Sequence, residues 1–172
     1  MAHQEIIRFY EKYRRKLYNI ALRITGDSLD AEDVVQDTVI KYLRSSTGKL
    51  ADQQVEAWLC KACVRASVDM LRVRKALKIK LERLAEEDSE EDCSRQWEDM
   101  LMRDEPREMI SRIRKVMQGM PDGYRVVLSL LLFEGYDYAE AAQILQVEES
   151  TVRSQYLRGK RKLLGLINDM KD

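Results

Sequence analysis

Apolar residues recur every three or four positions along most of the chain, and the rhythm breaks on glycine, proline or polar clusters. Ile6, Ile7, Phe9, Tyr10, Tyr13, Leu17, Ile20, Ala21 and Ile24 lie mostly on one stripe and predict a first helix, stopped at Gly26. Residues 27–30 offer the next start, with Asp30 as the expected N-cap and Asp33 in the first turn. This second helix buries Ala31, Val34, Val35, Thr38, Val39, Tyr42 and Leu43, and its other face carries Glu32, Asp33, Gln36, Asp37 and Lys41. Ser45, Ser46, Thr47 and Gly48 break it and open a polar loop. A third helix is predicted over residues 55–81 on Trp58, Leu59, Ala62, Cys63, Ala66, Val68 and Leu71, ending in the basic turns of Arg72, Arg74, Lys75, Lys78 and Lys80.

Periodicity then fades into a run of like charge, and helix resumes at Pro106, a residue suited to the first helical position. Gly119, Met120 and Pro121 end that helix. Residues 126–133 predict a richly apolar helix at the centre of a second core, closed by Gly135. Asp137 and Glu140 form a capping-box start for a short helix over residues 138–145. Gln146, Val147 and Glu148 make a turn, and a basic helix follows over residues 149–170. The expectation is an all-α protein of two small helical domains, residues 1–81 and 105–172, joined by an acidic flexible linker over residues 82–104.

Composition supports this and narrows the setting. Seven Gly and two Pro among 172 residues are too few for a turn-rich sandwich or barrel. No apolar run is long enough to span a membrane, and the charged N-terminus lacks the apolar stretch of a signal peptide. Three cysteines, an odd number, argue against a disulfide framework, so a cytoplasmic location is expected. The formal net charge of zero is a cancellation: residues 1–81 carry a net +6, residues 82–109 a net −8 and residues 110–172 a net +2. Each block is therefore judged separately for nucleic-acid binding.

Candidate chemistry is sparse. Cys60 and Cys63 have redox or zinc spacing, but no second pair and no histidine beyond His3 accompany them, so both read as small helix-buried hydrophobes. No phosphate loop, dinucleotide fingerprint, nucleophile elbow or zinc-protease motif is present, and neither an enzyme nor a cofactor is expected. The strongest signal is residues 138–163, a short helix, a tight turn and a basic helix. In a helix-turn-helix, Ala141, Ala142, Leu145, Val147 and Val152 pack the two helices together. Thr151, Arg153, Ser154, Gln155 and Arg158 then face a major groove, Leu157 packs inward, and Lys160, Arg161 and Lys162 meet phosphates. A helical hairpin with a solvated basic face fits the same spacing.

In order and separation these pieces resemble the extracytoplasmic-function (ECF) sigma factors of the sigma-70 family. The resemblance rests on Asp30-Ala31-Glu32-Asp33-Val34-Val35-Gln36-Asp37-Thr38, on Trp58-Leu59 followed by Asp69 and Arg72, and on Met120-Pro121 with Arg125. Glu134-Gly135-Tyr136, Ala141-Ala142 and Thr151-Val152-Arg153-Ser154 extend it. Where the family usually has Asn in the third helix this chain has Arg65, and Gln146-Val147-Glu148 replaces the family's Gly-x-Ser turn. The resemblance implies a sigma factor that directs core RNA polymerase to promoter DNA and is held by an anti-sigma factor. It implies polymerase contact through Asp33, Gln36, Asp37 and Lys41. Minus-ten capture would use Thr47, Gln54, Arg65, Asp69, Arg72 and Lys75. Minus-35 recognition would use Thr151, Arg153, Ser154, Gln155, Arg158 and Lys162. Two rivals stay open: a helix-turn-helix regulator acting without polymerase, and a sigma-like protein that only binds an anti-sigma partner.

Overall fold

A computed structural model of the chain describes residues 3–45, 51–73 and 106–169. Thr47, Lys75, the basic residues after Val73 and the acidic segment with Cys93 lie outside the described residues. The chain divides into two units, residues 1–73 and 74–172. Among the described residues all regular structure is helical, and no helix is long and apolar enough to cross a membrane.

The described residues of the first unit form three helices: α1 (His3–Thr25), α2 (Ser28–Arg44) and α3 (Asp52–Val73). Leu17, Ile20, Ala21 and Ile24 of α1 meet Ala31, Val34 and Val35 of α2 and Leu59, Cys63, Val64 and Val68 of α3 in a fully buried core. Ile7 lies outside it, 49% exposed, because the buried stripe of α1 begins only at Tyr13. Cys63 donates its S–H to the Leu17 carbonyl at 3.4 Å, and Cys60 is half-buried, so the pair sits on the packing face of α3. Along the rim, Lys12 pairs with Asp52 at 2.7 Å and Lys16 with Glu56. The Asp52 hydrogen bond, helped by Tyr13, raises the Lys12 ammonium above its ordinary pKa. Both braces are exposed and contribute little to stability.

The cap of α2 is Asp27 rather than Asp30. Gly26, at φ 74°, reverses the chain directly after α1, and Asp27 takes the extended N-cap conformation. Its carboxylate accepts from the Leu29 and Asp30 amides at 2.9 and 3.0 Å. Helix thus restarts one residue after the reversal, which carries Asp30 into the first turn, where it is buried. α3 begins at Asp52, three residues earlier than the hydrophobic pattern predicts, because Gln54 Oε1 accepts from the Ala51 amide at 3.2 Å.

The second unit holds α4 (Pro106–Gln118), α5 (Asp122–Leu128) running into one wide π turn (Ser129–Phe133), α6 (Tyr138–Leu145) and α7 (Glu149–Asp169). Its core joins Met109, Ile113 and Met117 of α4, Leu128 of α5, and Leu163, Leu164 and Ile167 of α7. Pattern alone predicts one regular helix across residues 126–133. Instead Glu134 N–H bonds back to the Ser129 carbonyl at 3.1 Å, while the Ser129 hydroxyl donates to the Arg125 carbonyl at 2.7 Å. The widened turn leaves residues 126–130 buried and residues 131–133 only half-buried.

Arg125 locks the turn between α4 and α5. It is 4% exposed, donates to the Met120 carbonyl at 2.9 Å and pairs with Asp122 at 2.7 Å, so one guanidinium ties the end of the α4–α5 turn to the first turn of α5. Gly159 permits the close approach of α7 to α5: a Cβ there would stand 3.2 Å from Leu128 Cγ and 3.4 Å from Tyr124 Cβ.

Asp137 and Glu140 form the expected reciprocal box at α6, with bonds of 2.7 and 3.0 Å. The helix ends at Gln146, in the left-handed region at φ 56° and ψ 45°. Such a conformation costs an L-residue about 1 kcal/mol that glycine escapes. Gln146→Gly is therefore expected to stabilise the second unit by up to about 1 kcal/mol, read as a higher urea midpoint for its unfolding. An unchanged or lower midpoint would show that the Gln146 side chain offsets its backbone strain.

Candidate polymerase and nucleic-acid interfaces

On α2 the buried positions 31, 34, 35, 38, 39 and 42 leave one continuous outward stripe. Asp33, Gln36, Asp37 and Lys41 all lie on it and are exposed. Two aliphatic residues share it: Leu29 is 72% exposed and Ile40 43%. Sequence reasoning missed both, because an apolar residue beside Val39 reads as core. The register held the signal, since residue 40 falls about 100° from residue 39 on a helix. The stripe is thus mixed, two carboxylates, an amide and a lysine interleaved with aliphatic surface, a composition suited to a protein partner.

On α3, residues 54, 58, 65, 69 and 72 are spaced by threes, fours and sevens and share one face. Gln54, Arg65 and Asp69 are exposed, and Arg72, half-buried, pairs with Asp69 at 2.6 Å. Gln54 is occupied in capping its own helix. Trp58 is half-buried, with its ring edge-on to Tyr42 at 5.3 Å, and Tyr42 stacks on Phe9 at 5.1 Å. The sequence places Trp58 in the core; here it forms the boundary between the core and the face bearing Arg65. No described group of His, Cys, Asp and Glu is arranged to hold a metal.

In the second unit α6, the Gln146 turn and α7 form a helix-turn-helix. Val147 N–H bonds to the Ala142 carbonyl at 3.1 Å, and the Glu148 carbonyl accepts from the Thr151 and Val152 amides at 3.0 and 3.3 Å. Ala141, Ala142, Leu145 and Val152 are buried between the helices, and Val147 is half-buried. On α7, Arg153 and Lys162 are exposed, and Thr151, Ser154 and Arg158 half-buried. Gln155 corrects the sequence reading: it is fully buried and presents no surface to a groove. The buried stripe of α7 runs through Val152, Gln155, Gly159 and Leu163, at intervals of three and four, and carries the amide inward. Leu157, expected inward, is instead 39% exposed, because it projects from the opposite side of that stripe. The outward face therefore offers Arg153, Ser154, Leu157, Arg158 and Lys162: cationic donors around one apolar side chain able to meet a thymine methyl.

A helix-turn-helix with a cationic outer face, in a chain with a separate three-helix unit, defines a helical DNA-binding protein of more than one domain. Comparison with known proteins makes this specific. The model for sigma-70 region 2 matches residues 9–76, and that for sigma-70 region 4 matches residues 110–163. The ECF RNA polymerase sigma factor SigE of Mycolicibacterium smegmatis is 28% identical over 148 residues, covering 86% of this chain and 56% of that protein. The chain thus matches little more than half of that relative's length. The RNA polymerase sigma-H factor of Pseudomonas aeruginosa is 25% identical over 158 residues, 88% of this chain and 80% of that protein. The sigma factor RpoE of Bartonella quintana, solved in complex with the anti-sigma factor NepR, shares the fold with a TM-score of 0.50 at 16% identity, over 98% of this chain and 99% of that one. The chain belongs to the sigma-70 family, and the relatives it matches are RNA polymerase sigma factors, several of them of the ECF type.

Proposed function

We propose that this sigma factor carries core RNA polymerase to a defined set of promoters and starts transcription there, acting in the cytoplasm by binding, without catalysis or a cofactor of its own. Residues 1–81 hold polymerase and the minus-ten strand, residues 82–104 link, and residues 105–172 read the minus-35 duplex. The observation that carries the reading is the outward face of α7, with Arg153, Arg158 and Lys162 around exposed Leu157, set by a capped α6 and a tight turn. An anti-sigma partner belongs to the proposal, since a sigma factor of the same fold was solved with one.

Polymerase contact is assigned to Asp33, Gln36, Asp37 and Lys41, with Leu29 and Ile40 adding apolar area. Reversing both carboxylates, Asp33→Lys with Asp37→Lys, is expected to weaken core binding at least about tenfold, roughly 1.4 kcal/mol. Both side chains are exposed, so the fold is retained. A titration of labelled full chain against bacterial core polymerase measures this, and unchanged affinity would remove the assignment.

The minus-ten strand is assigned to Gln54, Arg65, Asp69 and Arg72 on α3, together with Thr47 and Lys75, which lie outside the described residues. Single-stranded bases need cationic support for their backbone. Arg65→Ala and Arg72→Ala are each expected to lower promoter opening by holoenzyme severalfold, measured by permanganate reactivity of the unpaired strand. Wild-type opening in both variants would place the site elsewhere.

A further inference from the structure

The guanidinium of Arg153 is held on two sides. Its Nε and Nη2 donate to the same oxygen of Glu149, one turn earlier on α7, at 3.1 and 2.6 Å. Its Cζ lies 4.4 Å from the ring centroid of Tyr138, the first residue of α6. Tyr138 in turn meets Tyr156 of α7 edge-on, with ring centroids 5.8 Å apart. Four side chains thus link both helices of the helix-turn-helix around one arginine.

The geometry of the fork gives this linkage a use. A guanidinium carries five N–H donors, and Glu149 takes only those along its Nε–Nη2 edge. The Nη1–Nη2 edge keeps two parallel donors, the pair needed for a bidentate contact with guanine O6 and N7. An unrestrained arginine on a helix surface loses rotamer freedom when it docks on a base, and a restrained one has already lost it.

We propose that Glu149 and Tyr138 are positioning residues that set Arg153 to read one base pair of the upstream promoter element, an inference that rests on α7 being the promoter-reading helix. Glu149 also places a negative charge beside a polyanion and so weakens contact with DNA of any sequence. Neutralising it therefore has two separable effects: general DNA affinity rises, and preference at the base read by Arg153 falls. An ordinary surface ion pair gives only the first. A carboxylate that merely competes with DNA for Arg153 gives the first together with a sharper preference.

The test uses holoenzyme assembled from the full chain and bacterial core polymerase, with a promoter library randomised over the upstream element and read by sequencing transcripts. Arg153→Ala first identifies the base pair concerned. Glu149→Gln and Tyr138→Leu are each expected to reduce preference at that pair by about three- to tenfold, and Tyr138→Phe, which keeps the ring face, to retain it. Glu149→Gln is also expected to tighten binding to nonspecific competitor DNA. Should Arg153→Ala shift one position while Glu149→Gln and Tyr138→Leu leave it unchanged or sharper, the positioning role is wrong and the promoter-reading helix stands. Should Arg153→Ala shift no position, the helix does not read through this residue and the positioning role falls with it.

Discussion

Arg125→Ala is expected to destabilise the second unit by about 3 kcal/mol, a large share of the roughly 5–15 kcal/mol that holds an ordinary domain folded. The side chain is almost wholly buried and satisfies the Met120 carbonyl and the Asp122 carboxylate together. Truncation leaves both acceptors short of a donor and opens a cavity along the vanished stem. Asp122, about a quarter exposed, recovers part of its hydration, which keeps the loss near the lower end of the range for broken buried pairs. Arg125→Met restores the stem without the donors and is expected to recover about a third of the loss. Urea unfolding of the full chain followed by circular dichroism measures both, in the transition of the second unit. A shift below about 1 kcal/mol for Arg125→Ala would show that the lock is dispensable.

The second large effect concerns promoter choice. Arg153 is exposed and Arg158 half-buried on the outward face of α7, both long enough to reach base edges. A bidentate arginine–guanine contact discriminates by about 1–3 kcal/mol. Arg153→Ala or Arg158→Ala is therefore expected to relax preference at one base pair by roughly ten- to a hundredfold, leaving other positions as they were. Lys162 is an exposed point charge a turn beyond Arg158. Lys162→Ala is expected to weaken all sequences alike and to reduce the salt dependence of binding by about one unit. Gln155→Ala serves as the contrast: buried beside Val152 and Gly159, it is expected to lower stability by about 1–3 kcal/mol while leaving base preference intact. Selection on randomised minus-35 duplexes at two salt concentrations separates the three behaviours. A selected sequence untouched by both arginine substitutions would show that α7 does not read the promoter.

Much of the fold was legible because its signals are local. The box of Asp137 and Glu140 needs only a spacing of three, and Gly26 ends α1 by its own backbone freedom. The cap of α2 was misread by three residues because Asp27 and Asp30 are both good caps. The choice falls to the chain reversal at Gly26, a feature of three-dimensional geometry. The π turn left no mark in the pattern: a run of leucines is equally apolar in either helical form, and the Ser129 hydroxyl bond appears only in the structure.

The candidate interfaces divide the same way. Asp33, Gln36, Asp37 and Lys41 emerged together on α2 because every charged or amide residue after Asp30 falls off its buried stripe. On α7 polarity misled. Gln155 is polar yet occupies the buried stripe, and Leu157 is apolar yet faces outward, since helix phase rather than side-chain character decides exposure. The spacing of Val152, Gly159 and Leu163 already contained that phase. Glu149, four residues before Arg153 on the same helix, was within reach of spacing alone, whereas the contact with Tyr138 required the structure, because Tyr138 belongs to a different helix.

Run-off transcription with bacterial core polymerase on a library of promoter fragments tests the central claim most directly. The account predicts transcripts with defined start sites from a small subset of fragments, dependent on this chain and lost with the Asp33→Lys, Asp37→Lys variant. A chain that binds duplex DNA or an anti-sigma protein yet adds no promoter-specific transcript to core polymerase would contradict it.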